Sequence, residues 1–206
     1  MIVPDDGAAR ERAAEITSQG GVIAFRTDTF YGLGADPFNA TAVKRIRELK
    51  GREGDKPILL LISDDKQIPR FISKQSSVFT EVAKRFWPGP LTIVGEGRED
   101  LPAELTAGTG TIGLRLPDDK DVRELVRPCG GALTATSANL SGQPEARSAN
   151  DVASYFPTGI DLIIDDGEVT ATRPSTVIDL SGPEPRIIRE GGVKAAELES
   201  FLHSLR

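Results

Sequence analysis

Three cationic side chains cluster where a predicted helix ends and a predicted strand begins: Lys50, Arg52 and Lys56. Cations at the end of a helix complement its dipole, a gain of about 0.3–1 kcal/mol each. They could equally bind the phosphate groups of a ligand, since a tight connection that contains glycine is a common place for function. Lys56 lies beyond the helix end, where the dipole gives it nothing. Both interpretations, dipole complement and anion site, stay open.

Hydroxyl and amide side chains follow two other predicted strands. Thr27 and Thr29 come after one apolar run, and Ser137 and Asn139 follow another. In open α/β sheets, ligands lie at the carboxyl ends of strands, where such side chains converge. The alternative is a pair of polar turns that bond only to themselves. We expect the four side chains to meet, together with the cations, around one cleft.

Two arginines lie within or at the end of further predicted strands, Arg115 and Arg189. Arg115 alternates with Thr111 and Gly113, so these residues are expected to share one face of a strand. A planar guanidinium suits a bidentate grip on a carboxylate, which a lysine would provide less well.

Several catalytic classes are excluded by the scarcity of histidine and cysteine. The single histidine, His203, lies near the end of the sequence, which argues against a Ser-His-Asp or Cys-His mechanism and against a His-rich zinc site. The single cysteine, Cys129, is interpreted as a packing residue. One cysteine forbids an internal disulfide and suits the reducing cytoplasm. No metal site, Walker loop or dinucleotide-binding glycine motif is present in the sequence.

The composition is that of an ordinary globular protein of 206 residues with a formal net charge of −6. This charge excludes a broadly basic nucleic-acid surface, although a local basic pocket remains compatible with it. No signal-peptide pattern begins the sequence, and no apolar run approaches the roughly 18–20 residues that span a bilayer. A cytoplasmic protein with no membrane association is therefore expected.

Hydrophobic periodicity predicts alternating helices and strands. Helices are predicted at about residues 8–19, 41–50, 76–87, 118–126, 148–155 and near the C-terminus; strands are predicted at 22–25, 58–62, 91–94, 111–116, 132–136, 162–164, 175–180 and 186–189. Asn39 is placed to cap the second helix, and Gly51 to end it. This helix and its two flanking strands read as one β-α-β-like unit. Residues 95–110 are predicted to be a polar connection. No long linker interrupts the pattern, so one α/β domain over residues 1–206 is expected.

Short motifs spread over nearly the whole chain resemble one known family. They are TDTFYGL at 27–33, KGR at 50–52, WPGPLT at 87–92, GLRLP at 113–117, TSANLSG at 136–142, PSTVID at 174–179 and the segment around Arg189. Each is weak alone, but the ordered set is specific. The chain resembles the YrdC/TsaC-type threonylcarbamoyl-AMP synthases.

The resemblance implies a YrdC-like domain, with a twisted, open, mixed β-sheet flanked by helices around a central cationic cleft. It implies condensation of L-threonine, bicarbonate or CO2, and ATP to threonylcarbamoyl-AMP and pyrophosphate, with Mg²⁺ accompanying ATP. A tRNA threonylcarbamoyl transferase complex would consume the product, and a direct tRNA contact is compatible with this activity. The positions implied for ATP are Lys50, Arg52, Lys56, Thr111, Ser137, Asn139 and Arg189, and those implied for threonine are Thr29, Arg115, Ala135 and Ser175. No residue is assigned as the proton acceptor, a role that water or the substrate itself could fill.

The sequence departs from the family pattern at a few positions. Lys56 and Leu61 stand where many members with an added C-terminal domain carry Asn and His, and Glu145 stands where small residues are frequent. The sequence ends at Arg206 without that domain, so closure over the product is expected to come from elsewhere or to be absent. Two other functions remain open: an RNA-binding module of the same fold without catalysis, and a carbamoyl-transfer role as in hydrogenase-maturation proteins.

Overall fold

The computed structural model describes residues 1–51 and 58–205. Arg52 and Lys56, two of the three cations from which the sequence predicts an anion site, lie outside the described residues.

A mixed β-sheet organises the described part of the chain. Its strands are β1 (Ile2–Pro4), β2 (Ile23–Phe25), β3 (Gly32–Gly34), β4 (Leu59–Ile62), β5 (Leu91–Glu96), β6 (Thr111–Arg115), β7 (Ala132–Ser137), β8 (Leu162–Asp165), β9 (Thr176–Asp179) and β10 (Arg186–Arg189). Their order across the sheet is β1-β8-β2-β3-β7-β4-β6-β5-β9-β10. Parallel and antiparallel pairs alternate irregularly along it. The predicted α/β class with a mixed open sheet is confirmed.

Helices flank the sheet. They are α1 (Gly7–Ser18), α2 (Ala40–Leu49), α3 (Ser77–Phe86), α4 (Ala103–Thr106), α5 (Lys120–Val126), α6 (Ala149–Tyr155) and α7 (Ala195–Ser204), with a 3-10 helix at Asp65–Arg70. Asn39 caps α2 as predicted, since its side chain accepts from the amide of Ala42 at 3.0 Å. Ser148 and Asp151 form a reciprocal capping box at the start of α6. The segment 95–110, predicted to be a polar connection, contains α4.

The predicted β-α-β-like unit around α2 is wrong. Two strands, β3 and β7, separate β2 from β4, and the successive antiparallel pairings make β2 and β4 run in opposite directions. The reason is β3, a three-residue strand in a segment that the sequence predicts to be a turn. It pairs back on β2, and Gly34 permits this because a Cβ there would lie 2.6 Å from the Phe25 ring.

Both faces of the sheet are covered by buried apolar side chains. Leu60 belongs to one buried cluster and its neighbour Leu61 to another, because successive residues of a strand point to opposite faces. Leu61 shares its cluster with Leu125 and Leu133 and is fully buried. None of the helices in the described residues is both long enough and apolar enough to cross a bilayer.

Candidate active site

A cavity of about 620 Å³ opens over one face of the sheet. Alternate residues of four strands form its floor: Thr92 and Val94 of β5, Thr111, Gly113 and Arg115 of β6, Val177 and Asp179 of β9, and Arg186 and Ile188 of β10. This spacing is the two-residue period of a pleated strand. At Gly113 a Cβ would lie 3.1 Å from Thr92 Cγ2, so the absent side chain widens the floor.

The expected convergence of polar side chains at the carboxyl ends of strands is seen in only part of this cavity. Thr29 and Ser137 do lie at or beyond the ends of β2 and β7, and both line the cavity. Arg115 ends β6, which runs opposite to β7 because it is parallel to β4 and β4 is antiparallel to β7. The floor is a sheet face, and the loops after β2 and β7 form its walls.

Lys50 ties the end of α2 to the loop after β7. Its buried ammonium donates to Asn139 Oδ1 at 3.1 Å, to the Asn139 carbonyl at 3.0 Å and to the Ser137 carbonyl. The Ser137 hydroxyl donates to Asn139 Oδ1 at 2.7 Å, and the Ser141 amide donates to the Lys50 carbonyl at 3.3 Å. The described cavity lining includes Ser137 but neither Lys50 nor Asn139, which lie behind it.

Arg115 and the loop after β2 form a second buried group. Its Nη1 donates to Thr29 Oγ1 at 3.2 Å, and its Nη2 lies 3.2 Å from Asp28 Oδ1. The two ionic side chains are only 4% and 11% exposed. Burial raises the pKa of Asp28 against the opposing effect of the guanidinium, and burial likewise lowers the pKa of Arg115. Thr27 shapes the loop by accepting from the amides of Thr29 and Phe30.

Ser175 joins two further strands at the cavity. Its hydroxyl lies 2.9 Å from Thr92 Oγ1, and its carbonyl accepts from Arg189 Nη2 at 2.9 Å. The chain passes very close to this point, since a Cβ on Gly191 would lie 2.2 Å from the Pro174 carbonyl oxygen. Ser175 is buried, whereas Arg189 is exposed as a residue but has a guanidinium that is partly desolvated beside Ser175, and both line the cavity.

Charges of both signs line the described part of the cavity. The cations are Arg115, Arg186 and Arg189, and the carboxylates are Glu145 and Asp179. Asp179 pairs with Arg186 at 3.2 Å, and the Glu145 carboxylate lies near enough to Arg189 to oppose the lowering of the Arg189 pKa by burial. The cationic character expected of the cleft stays a prediction, because it depends in part on Arg52 and Lys56.

Asp28 is not among the site residues predicted from the sequence, although it lies between Thr27 and Thr29, which are. A carboxylate between two hydroxyl side chains directly after an apolar run is a signal that could have found it. Arg186 and Ile188 were also missed as lining residues, although their alternation along β10 predicts a shared face. Ala135 and Thr111, which the resemblance implies for threonine and for ATP, also line the cavity, and their binding roles stay predictions.

Cys129 is a packing residue, as predicted. It is buried, and burial raises the pKa of its thiol to about 11. Among the described residues, no cluster of histidine, cysteine or carboxylate side chains is suited to hold a metal ion.

Comparison of the sequence with known protein families identifies the family of this chain. A sequence profile of the Sua5/YciO/YrdC family, described as telomere recombination, matches residues 15–191. The chain belongs to this family. A Sua5/YciO/YrdC member therefore carries the cavity described above.

Named relatives agree with this membership. The chain is 39% identical over 194 residues to a threonylcarbamoyl-AMP synthase of Pyrococcus abyssi and 36% identical over 192 residues to one of Bacillus subtilis. These alignments cover 94% and 93% of this chain but 57% and 56% of the two relatives, so the chain spans little more than half their length. A solved structure of P. abyssi Sua5 complexed with L-threonine superposes with a TM-score of 0.90 at 37% identity, covering 97% of this chain and 59% of that one.

Leu61, where the resemblance leads one to expect the histidine of members with an added C-terminal domain, does not line the described part of the cavity. Leu61 is fully buried in the core cluster on the α5 side of the sheet. It is the register partner of Arg115 in the parallel pair of β4 and β6.

Proposed function

We propose that this chain is an L-threonylcarbamoyladenylate synthase. It would condense L-threonine, bicarbonate or CO2, and ATP to threonylcarbamoyl-AMP, with release of pyrophosphate, for the threonylcarbamoyl-adenosine modification of tRNA. The relatives that carry this name, and the P. abyssi structure with L-threonine, support the proposal. The observation that carries it is one cavity lined by both Arg115 and Ser137, with Lys50 directly behind Ser137.

The cavity has a size suited to these substrates. Its volume of about 620 Å³ falls within the roughly 300–1,000 Å³ typical of small-molecule sites. Arg115, Thr29, Ser175 and Ala135 would hold threonine, with the guanidinium gripping the carboxylate. The ATP side would be formed by Lys50, Arg52, Lys56, Thr111, Ser137, Asn139 and Arg189.

The chemistry requires positioning more than covalent participation. The threonine amine combines with CO2 and releases a proton to water or to the substrate itself, or it combines with bicarbonate and loses water, to give a carbamate. A carbamate oxygen then attacks the α-phosphorus of ATP, the bond from that phosphorus to the bridging oxygen breaks, and pyrophosphate leaves with its electron pair. Such a step depends on aligned reactants, neutralised phosphate charge and exclusion of water. The buried Arg115 and Lys50 fit these needs, and no histidine base is required.

Mg²⁺ is part of this proposal as the partner of ATP. Mg²⁺ keeps several water ligands and binds through substrate phosphates and one or two carboxylates. Glu145 and Asp179 are carboxylates that line the same cavity, and they could supply such a contact. When bound, the ion would neutralise phosphate charge beside the arginines.

The product would pass to a tRNA threonylcarbamoyl transferase complex in the cytoplasm, where ATP and tRNA are found. A direct contact of this chain with tRNA is compatible with the proposal.

Pyrophosphate release tests the proposal. The purified chain with Mg²⁺ and ATP should release pyrophosphate only when both threonine and bicarbonate are present, and Arg115→Ala should raise the KM for threonine more than the KM for ATP. No threonine-dependent release would overturn the proposal. RNA binding that collapses as salt rises, without any release, would instead favour the RNA-binding module.

A further inference from the structure

The guanidinium of Arg115 is held by two side chains of the loop after β2, Asp28 and Thr29. A guanidinium carries five N–H groups in one rigid plane. Here Nη1 donates to Thr29, Nη2 faces Asp28, and Nε makes no hydrogen bond with any described residue although it is fully buried. A buried donor without a partner is unfavourable in a finished structure. The Nε edge is closed to solvent here, so a ligand can meet only the part of Arg115 that lines the cavity.

Asp28 differs from the other side chains of the group because it is absent from the cavity lining. It stands behind Arg115, and its Oδ1 makes no hydrogen bond despite the 3.2 Å approach to Nη2. The contact is therefore an ion pair held by charge, while Thr29 gives the aligned hydrogen bond. The loop that carries both residues is fixed by Thr27, whose hydroxyl accepts from two amides and donates to the Phe30 carbonyl.

We propose that Asp28 is the positioning residue for Arg115: its carboxylate fixes the guanidinium so that the part of Arg115 that lines the cavity receives the carboxylate of the amino-acid substrate in one register. This inference rests on the proposed function. Asp28 does not touch the substrate. It determines which N–H groups of Arg115 do so, and thereby where the amine lies relative to the α-phosphorus of ATP.

The charge of Asp28 makes the expected effect distinctive. Asn at this position keeps the size of the side chain but removes the negative charge that competes with the substrate carboxylate for Arg115. Threonine should then bind at least as tightly, because nothing opposes its carboxylate. The guanidinium is no longer held on its far side, so bound threonine adopts more than one register and the reactants are misaligned.

The matching experiment is steady-state pyrophosphate release by the full chain. Asp28→Asn should lower kcat about tenfold or more, the scale of small misplacements of reactants. The KM for threonine should not rise, and the KM for ATP should stay within about twofold. The melting temperature should fall, because the variant leaves a buried guanidinium without its counter-ion. Asp166→Asn is the control, since Asp166 accepts from Arg26 Nε at 2.6 Å and lies outside the cavity lining. It should leave kcat and both KM values unchanged.

A double-mutant cycle tests whether Asp28→Asn lowers kcat through Arg115. Arg115→Lys removes the planar fork that Asp28 holds, so adding Asp28→Asn to it should change kcat by less than about twofold, although Asp28→Asn alone is costly. Additive losses would show that Asp28 acts independently of Arg115 and would overturn the inference.

The other outcomes are equally decisive. A raised KM for threonine with unchanged kcat would make Asp28 a contributor to binding, and raised KM values for both substrates would make it merely structural; each overturns the inference. Titration calorimetry of threonine adds a readout without turnover, in which Asp28→Asn should bind threonine no more weakly than the wild type. A wild-type chain that neither binds threonine nor releases pyrophosphate overturns the proposed function as well, whereas an active wild type with a wild-type-like Asp28→Asn overturns the inference alone.

Discussion

Lys50 Nζ lies 3.1 Å from Asn139 Oδ1, although 89 residues separate the two along the chain. The same ammonium contacts two carbonyls of the loop after β7, so the end of α2 holds that loop against the cavity. A buried lysine that neutralises a set of carbonyl and amide oxygens is a structural feature whether or not a nucleotide is bound. Lys50 therefore has a structural role, and the contact with ATP that we propose for it would be a second one.

Lys50→Met should therefore lower stability as well as raise the KM for ATP. The change takes a charged donor away from three acceptors that are buried or partly buried, and such losses cost about 1–3 kcal/mol. Urea unfolding measures the free energy. Lys44→Met is the matched control, in the helix that Lys50 follows, because Lys44 is 69% exposed and its ion pair among the described residues is with Glu48 at 3.8 Å. Its effect should stay below about 1 kcal/mol, as for other exposed pairs. Equal effects of the two variants would refute a holding role for Lys50.

Gly191→Ala should destabilise the fold and disturb Ser175. The added Cβ would lie 2.2 Å from the Pro174 carbonyl oxygen and 2.6 Å from the Ser175 carbonyl carbon, backbone atoms that cannot rotate away. Overpacking of this kind costs about 1–3 kcal/mol. Gly182→Ala is the control, since a Cβ there meets nothing within 4 Å. Thermal unfolding of both variants checks the expectation, which fails if the two melting temperatures coincide.

Tyr31 should titrate far above an ordinary phenol. Burial, together with Asp165, raises the pKa of Tyr31 from 10.0 to about 12, and its hydroxyl donates to the Gly167 carbonyl at 2.9 Å. Because the folded state favours the neutral form, this contribution to stability is complete below the unfolded pKa of 10.0 and is lost as the pH rises through about 12. Phenolate absorbance should show a late component that Tyr31→Phe removes. A single titration near the ordinary value in the wild type would contradict the expectation.

Cys129 should resist thiol reagents in the folded protein. It is buried, and burial raises the pKa of its thiol to about 11, so little thiolate exists at neutral pH. Alkylation should be slow natively and should reach one equivalent in urea, since the chain has one cysteine. Fast stoichiometric alkylation without urea would show that the thiol is accessible.

The sequence predicts most of the longer elements because their signals are local. Capping by Asn39 and the apolar spacing of Val43 and Ile46 specify α2 without reference to the rest of the chain. β1 and β3 are three residues each, too short for periodicity, and β3 is stabilised by pairing with β2 and β7. Strand order depends on such long-range pairs, which is why the local pattern predicts β4 as the partner of β2, although β3 and β7 lie between them.

The same division holds for the candidate site. Residue types and motif order lead to Lys50, Ser137, Asn139 and Arg115, and the structure brings the first three together. Their binding roles stay predictions. Asp28 was missed because its importance lies in a contact across 87 residues with Arg115, which no local pattern encodes.

Successive residues of β6 point alternately to the cavity and to the core, so the insertion or deletion of one residue in this strand would exchange the two sets. Arg115 faces the cavity, whereas Ile112 and Leu114 are fully buried on the other side of the same strand. Deleting a single residue between Thr111 and Arg115 would drive a guanidinium into aliphatic packing and bring a leucine out over the cavity. Family members should therefore vary in length outside β6, while the strand itself keeps an invariant residue count.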